Sequence, residues 1–138
     1  MAPILYAIDA QPLVGAFRQE ACRPIVQAAV SAALEERITL RLTAINAGEV
    51  EYGVERALGA TAGHQALESI QLWTEIQWID LELASRAAWF KLRSGMGYAD
   101  CFAVALAHRD GIPLITGDPD FHRVEDLVRI AWLEDVRF

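Results

Sequence analysis

The chain has 138 residues, 54% of them hydrophobic and 22% charged, and its 19 Asp and Glu outweigh 12 Lys and Arg for a net charge of -7. This length and apolar content exclude a disordered chain and fit one domain over residues 1–138, able to bury roughly 68% of its unfolded surface without disulfides or a structural metal. The charge balance excludes a basic nucleic-acid arm or polybasic membrane patch, and an acidic surface repels phosphate backbones unless something local reverses the sign.

Ile4 to Ile8 is a short apolar run of strand type, cut off by Asp9, and a helical stretch begins near Pro12. With no basic flank before it, the run is not a signal peptide. Arg23-Pro24 opens an apolar helix to Leu34, with Pro in the first turn where its missing N–H is harmless. That helix is too short to span a bilayer. Ile38 to Leu42 alternates and carries β-branched residues, so it reads as a second strand. Thr43 caps a helix running through Val50, Val54 and Leu58 to Gly59.

A helix over about Ala62–Trp73 then leads to a strand, Ile76–Ile79, and Asp80 caps the next helix. Gly95 and Gly97 break the chain before a helix from Tyr98 to Arg109, which Gly111 ends. Ile112–Thr116 is a strand, Gly117-Asp118-Pro119-Asp120 a turn, Phe121–Leu127 a short helix and Val128–Leu133 the last strand. Strands separated by helices predict an α/β fold, a three-layer α/β/α sandwich with a mostly parallel central sheet. Cys22 and Cys101 stand far apart and read as reduced thiols, consistent with a soluble cytoplasmic protein.

In such a sheet the carboxyl ends of the strands share one edge, where ligands bind. Asp9 follows the first strand directly, and Glu49 lies about two turns into the helix after the second. Asp118 and Asp120 follow the Ile112–Thr116 strand, and Asp100 opens the helix antiparallel to it. Five carboxylates from four distant segments therefore point to one rim. Capping accounts for Asp80, and Asp120 is divided between cap and ligand. Capping does not account for Glu49, past the first turn, or for Asp100 among apolar neighbours. At about 5 Å and an effective dielectric near 20, each ionised pair repels by roughly 3 kcal/mol. A divalent cation held by oxygen ligands relieves this, and Mg²⁺ or Mn²⁺ suits an all-carboxylate set.

The same segments resemble the PIN-domain family, and in particular its VapC-type toxins. Ile4-Leu5-Tyr6-Ala7-Ile8-Asp9 is similar to the family's opening strand and first acid. Ala47-Gly48-Glu49-Val50-Glu51-Tyr52-Gly53 resembles the toxins' A-x-E-L-x-Y-G segment, which selects Glu49 rather than Glu51. Tyr98-Ala99-Asp100-Cys101 looks like the third-acid helix, and Thr116-Gly117-Asp118-Pro119-Asp120-Phe121 resembles the T-G-D-x-D-F segment.

The resemblance implies a Mg²⁺- or Mn²⁺-dependent endoribonuclease. Asp9, Glu49, Asp100 and Asp118 would hold one or two metals, with Asp120 and the Thr116 hydroxyl assisting. It also implies an RNA substrate, a homodimer and a cognate antitoxin seated near the acidic site. The chain departs from the family at Ala10-Gln11-Pro12, where a hydroxyl residue usually follows the first Asp. Gln11 would replace that group in the metal shell. The alternative is a PIN-like module weakened in catalysis that binds RNA or a protein partner. Asp-based phosphoryl chemistry fails, because Asp9-Ala10-Gln11 lacks Asp-x-Asp and the only Lys, Lys91, is misplaced for a receiver domain.

The remaining residues read as structural. His64, His108 and His122 show no ligand spacing and fit the surface, and the four tryptophans fit mostly apolar packing faces. Arg86 and Arg93, near the end of one helix, are candidates to guide RNA or a partner.

Overall fold

The apolar run at the start of the chain becomes the central strand of a sheet. In the computed structural model, which describes residues 2–138, the order is β1 (Ile4–Ile8), α1 (Ala10–Phe17), α2 (Arg23–Leu34), β2 (Ile38–Thr43), α3 (Ala44–Leu58) and α4 (Ala60–Trp73). Then come β3 (Glu75–Gln77), α5 (Leu81–Ser94), α6 (Tyr98–Asp110), β4 (Leu114–Thr116), a 3₁₀ helix (Pro119–Val124) and β5 (Ile130–Trp132). The sheet has strand order β3-β2-β1-β4-β5. Every pairing in it is parallel, with Ile4 opposite Ile38, Ile8 opposite Ile115, Leu42 opposite Ile76 and Thr116 opposite Trp132.

Because alternate strand residues face opposite ways, the sheet divides the apolar interior in two. Ala7 and Leu114 face α5, α6 and the 3₁₀ helix, packing with Phe90, Phe102, Leu106 and Phe121. Ile8, Leu40, Leu42 and Ile115 face α1 to α4, packing with Leu13, Val50, Val54 and Ile70. The three-layer α/β/α arrangement follows. Among the described residues no helix is long and apolar enough to cross a membrane.

Most boundaries fall where the sequence puts them, and the exceptions have local causes. α1 starts at Ala10, directly after β1, because Pro12 lies within the first turn, where no N–H is required. β3 ends at Gln77, before the expected Ile79, as the chain turns toward the Asp80 cap. The segment after β4 is a 3₁₀ helix from Pro119, so its cap is Asp118 and not Asp120. Pro119 fixes this: a residue with no N–H and a preset φ belongs at the first helical position, and the cap must precede it. Trp78 and Trp89 are also not in the core. Trp78 is 80% exposed and Trp89 44%.

The placement of α3 depends on a close approach to α4. A Cβ on Gly63 would lie 2.9 Å from Glu55 Cβ and 3.0 Å from the Glu51 carbonyl oxygen. Glycine is therefore required at that crossing for steric reasons. We expect Gly63→Val to lower unfolding free energy by about 1–3 kcal/mol through overpacking, read as a shifted midpoint in urea titration; an unchanged midpoint would show that the two helices separate freely.

Candidate active site

In a sheet ordered β3-β2-β1-β4-β5, connections run outward in opposite directions from β1 and β4. A crevice opens at that switch point, beyond the carboxyl ends of the strands. Asp9 is the first residue past β1, and its N–H donates to the Ile115 carbonyl at 3.0 Å, so the strand ladder itself fixes it. It occupies the N-cap position of α1, yet its side chain makes no capping bond. Asp9 is 1% exposed. The Thr116 hydroxyl donates to Asp9 Oδ2 at 3.0 Å and accepts the Asp118 N–H at 3.1 Å, joining the ends of β1 and β4.

Glu49 reaches the same place along α3. Thr43 caps this helix, accepting the Asn46 N–H at 3.0 Å. Asn46, fully buried, accepts the Thr43 hydroxyl at 2.6 Å through Oδ1. Its Nδ2 donates to Glu49 Oε1 at 2.7 Å and to the Ala99 carbonyl at 3.1 Å. One amide thus aims Glu49 and anchors the start of α6. Asp100 lies in the first turn of α6, where the helix dipole favours a negative group.

Asp9, Glu49 and Asp100 each present an oxygen within 4.8 Å of the others. Among the described residues none of the three forms an ion pair. Their acidities show the strain. Burial, reinforced by Asp100 and Glu49, raises the Asp9 carboxyl to about 7. Burial also raises Asp100 to about 6, with Glu49, Asp118 and Asp120 adding repulsion. Glu49 is raised by burial and pulled partly back by Asn46. Three oxygen donors with excess negative charge fit a hard divalent cation such as Mg²⁺ or Mn²⁺.

The other expected residues are placed differently. Asp118 lines the same cleft, of about 360 Å³, outside the tight trio. Its Oδ1 accepts the Asp120 N–H at 2.9 Å, capping the 3₁₀ helix. Asp120 is exposed and acts on the trio through its field on Asp100. Gln11 also lines the cleft, but its Oε1 accepts the Gly117 N–H at 3.0 Å. It fastens the loop that carries Asp118. Glu51, one turn-face away from Glu49, pairs with His64 on the surface.

Sequence reasoning missed Asn46 and two arginines. Arg18 and Arg56 line the cleft, Arg18 paired with Glu20 at 3.2 Å and Arg56 lying 5.5 Å over the Tyr52 ring. Helical spacing held the signal: Thr43, Asn46 and Glu49 are three apart, and Glu49, Tyr52, Gly53 and Arg56 share one face of α3. The arginines singled out instead lie elsewhere. Arg86 pairs with Glu82 and with His108 in the last turn of α6, and Arg93 stacks 3.8 Å over Trp89.

The PIN domain family model matches residues 6–127. No curated protein matches the chain in sequence. VapBC2 from Rickettsia felis, solved bound to a DNA fragment of its promoter, superposes with a TM-score of 0.74 at 14% identity, covering 94% of this chain and 98% of that one. VapC20 from Mycobacterium tuberculosis, a sarcin–ricin loop cleaving toxin, gives 0.71 at 15% identity, covering 85% and 92%. FitAcB from Neisseria gonorrhoeae gives 0.69 at 22%, covering 91% and 96%. At these identities the likeness is one of fold.

The raised pKa values imply a pH dependence. Between pH 3.8 and about 7 the unfolded chain has released a proton that folded Asp9 still holds. Stability is therefore greatest at the acid end of this window and falls as pH rises through it. For Asp9 alone the loss is of the order of 4 kcal/mol. We expect the metal-free protein to melt lower at about pH 8 than at about pH 5, Mg²⁺ or Mn²⁺ to restore the loss, and Asp9→Asn to flatten the profile; a wild-type melting temperature indifferent to pH and cation would contradict this.

Proposed function

This chain belongs to the PIN-domain family, and we propose that it is a Mg²⁺- or Mn²⁺-dependent endoribonuclease, the toxin of a toxin–antitoxin pair. The observation that carries the reading is the convergence of Asp9, Glu49 and Asp100 within 4.8 Å, with no cationic side chain paired to them among the described residues. A divalent cation there supplies Lewis acidity toward a phosphodiester and activates water near neutral pH. Asp9, Glu49 and Asp100 would hold it, with Asp118 on the cleft wall completing the acidic set. Thr116 fixes the second oxygen of Asp9, and Asn46 fixes Glu49. Arg18 and Arg56 draw the phosphate backbone into an otherwise acidic cleft. No histidine, lysine or serine lines that cleft, which fits attack by water rather than by a side chain.

Asp9, Glu49 and Asp100 converge beside the Ala10-Gln11 departure, and both departing residues line the cleft. Ala10 is buried in the core facing α1 to α4, and Gln11 steadies the Gly117 loop. A cognate antitoxin fits the company of the fold, since VapBC2 was solved as a complex. Homodimerisation is supported by α5. Leu81, Trp89 and Leu92 form an exposed stripe on it, Leu81 and Leu92 more than 80% exposed. Glu82 stands at one end and Arg93 at the other, so two antiparallel copies would match charge as well as apolar surface.

The purified protein should cleave single-stranded RNA, and not DNA of the same sequence, in Mn²⁺ or Mg²⁺. Asp100→Asn or Asp118→Asn should lower the rate by more than about a hundredfold, beyond the usual ceiling for outer-shell partners. Cleavage that survives EDTA and both substitutions would overturn the metal-site reading. Leu92→Glu, at the C-terminal end of the α5 stripe, should convert dimer to monomer in size-exclusion chromatography with its melting temperature retained; an unchanged elution volume places the dimer interface elsewhere or removes it.

A further inference from the structure

A second cleft, of about 400 Å³, adjoins the acidic one and is walled in part by aromatic rings. Gln11 lines both, and Pro119, His122, Trp132 and Leu133 continue the second. The His122 and Trp132 rings lie 4.3 Å apart between centroids, inclined by 30°. A single carboxylate holds both. Glu125 Oε1 meets His122 Nδ1, and Glu125 Oε2 accepts the Trp132 indole N–H at 3.2 Å. The His122 side chain is nevertheless 61% exposed. Packing alone does not call for a ring that is both oriented and open to solvent.

Position adds to the geometry. His122 lies with Asp120 on the 3₁₀ helix that Asp118 caps, and Trp132 pairs with Thr116 across the sheet edge. His122 is thus on the segment that follows the acidic loop, and Trp132 on the strand beside the one that precedes it. Gln11 spends its Oε1 on Gly117, and among the described residues its amide N–H groups have no hydrogen-bond partner, so they can meet a base edge or phosphate. Glu134, also in the lining, offers an acceptor. Flat aromatic surface with a few polar groups, continuous with a phosphate-handling cleft, is the chemistry that receives an unpaired base.

We propose that this cleft is a nucleobase subsite, which seats a base next to the cleaved bond against the His122–Trp132 wall. The inference deepens the endoribonuclease reading and rests on it for the identity of the strand. It explains how an acidic protein with few basic residues grips single-stranded RNA: through stacking, which every base offers, rather than through a basic track. Trp132 is the floor of the wall, part-buried against the core, and His122 is the face the base meets.

The test uses RNA carrying one 2-aminopurine, whose fluorescence falls on stacking, in Mg²⁺ and in an Asp118→Asn background so that the strand stays intact. His122→Ala should weaken binding about tenfold, as for the loss of one stacking partner, and abolish the quenching. His122→Phe, which keeps a flat face without the Glu125 bond, should retain both. In the wild-type background, His122→Ala should lower kcat/KM on RNA chiefly through KM. Quenching and affinity equal to wild type in His122→Ala would overturn the subsite, even if RNA is cleaved. If the wild-type protein cleaves no RNA yet quenches through His122, the subsite stands and the assigned reaction falls.

Discussion

Three carboxylates held within 4.8 Å, one of them almost fully buried, set the terms for the rest of this molecule. Each ionised pair costs roughly 3 kcal/mol at about 5 Å and an effective dielectric near 20, and burial adds to that. A marginally stable domain keeps such an arrangement only if the scaffold around it is over-determined. The structure meets that condition. Asp9 is locked by a strand ladder, Thr116 joins two strand ends, and Asn46 ties α3 to α6 with every side-chain polar atom engaged. The polar network around the site is what makes the strain tolerable.

The sheet explains why these groups meet at all. A reversal of connection direction between β1 and β4 leaves a crevice beyond the strand ends. Glu49 and Asp100 then enter from opposite faces, one on a helix packed against Leu40 and Leu42, the other on a helix packed against Ala7 and Leu114. The clefts beside the trio differ in character accordingly. Arginines from the end of α1 and from α3 edge one, and aromatic rings from the 3₁₀ helix and β5 wall the other.

Much of this is legible in the sequence because it depends on local chemistry. Thr43 and Asp80 cap as their types require, Gly95 and Gly111 end helices in left-handed conformations, and apolar runs between them become parallel strands. The acidic residues could be assigned to one edge because parallel topology fixes which end of a strand faces the site. What escaped depends on contacts between segments. Asn46 reads as an ordinary helix residue until α6 brings Ala99 against it. Arg18 and Arg86 are equivalent in sequence, and only the packing of α1 and α5 separates them. Gln11 looked like a substitute in the metal shell, whereas the loop after β4 captures its amide oxygen. Asp120 lost the cap to Asp118 through the geometry of Pro119.

The bridge from Asn46 to Ala99 has a consequence for synthesis. It joins the helical layer on one face of the sheet to the layer on the other, and Thr116 makes the same kind of join between the first strand and the fourth. A chain emerging from the ribosome contains Asp9, Asn46 and Glu49 early, but Thr116, which holds Asp9, and Ala99 and Asp100, which anchor Asn46 and complete the trio, come from its last third. The acidic cluster therefore does not exist in a partial chain. A product that lacks the last third carries Asp9 and Glu49 without Asp100, Ala99 and Thr116, and so without the gathered site.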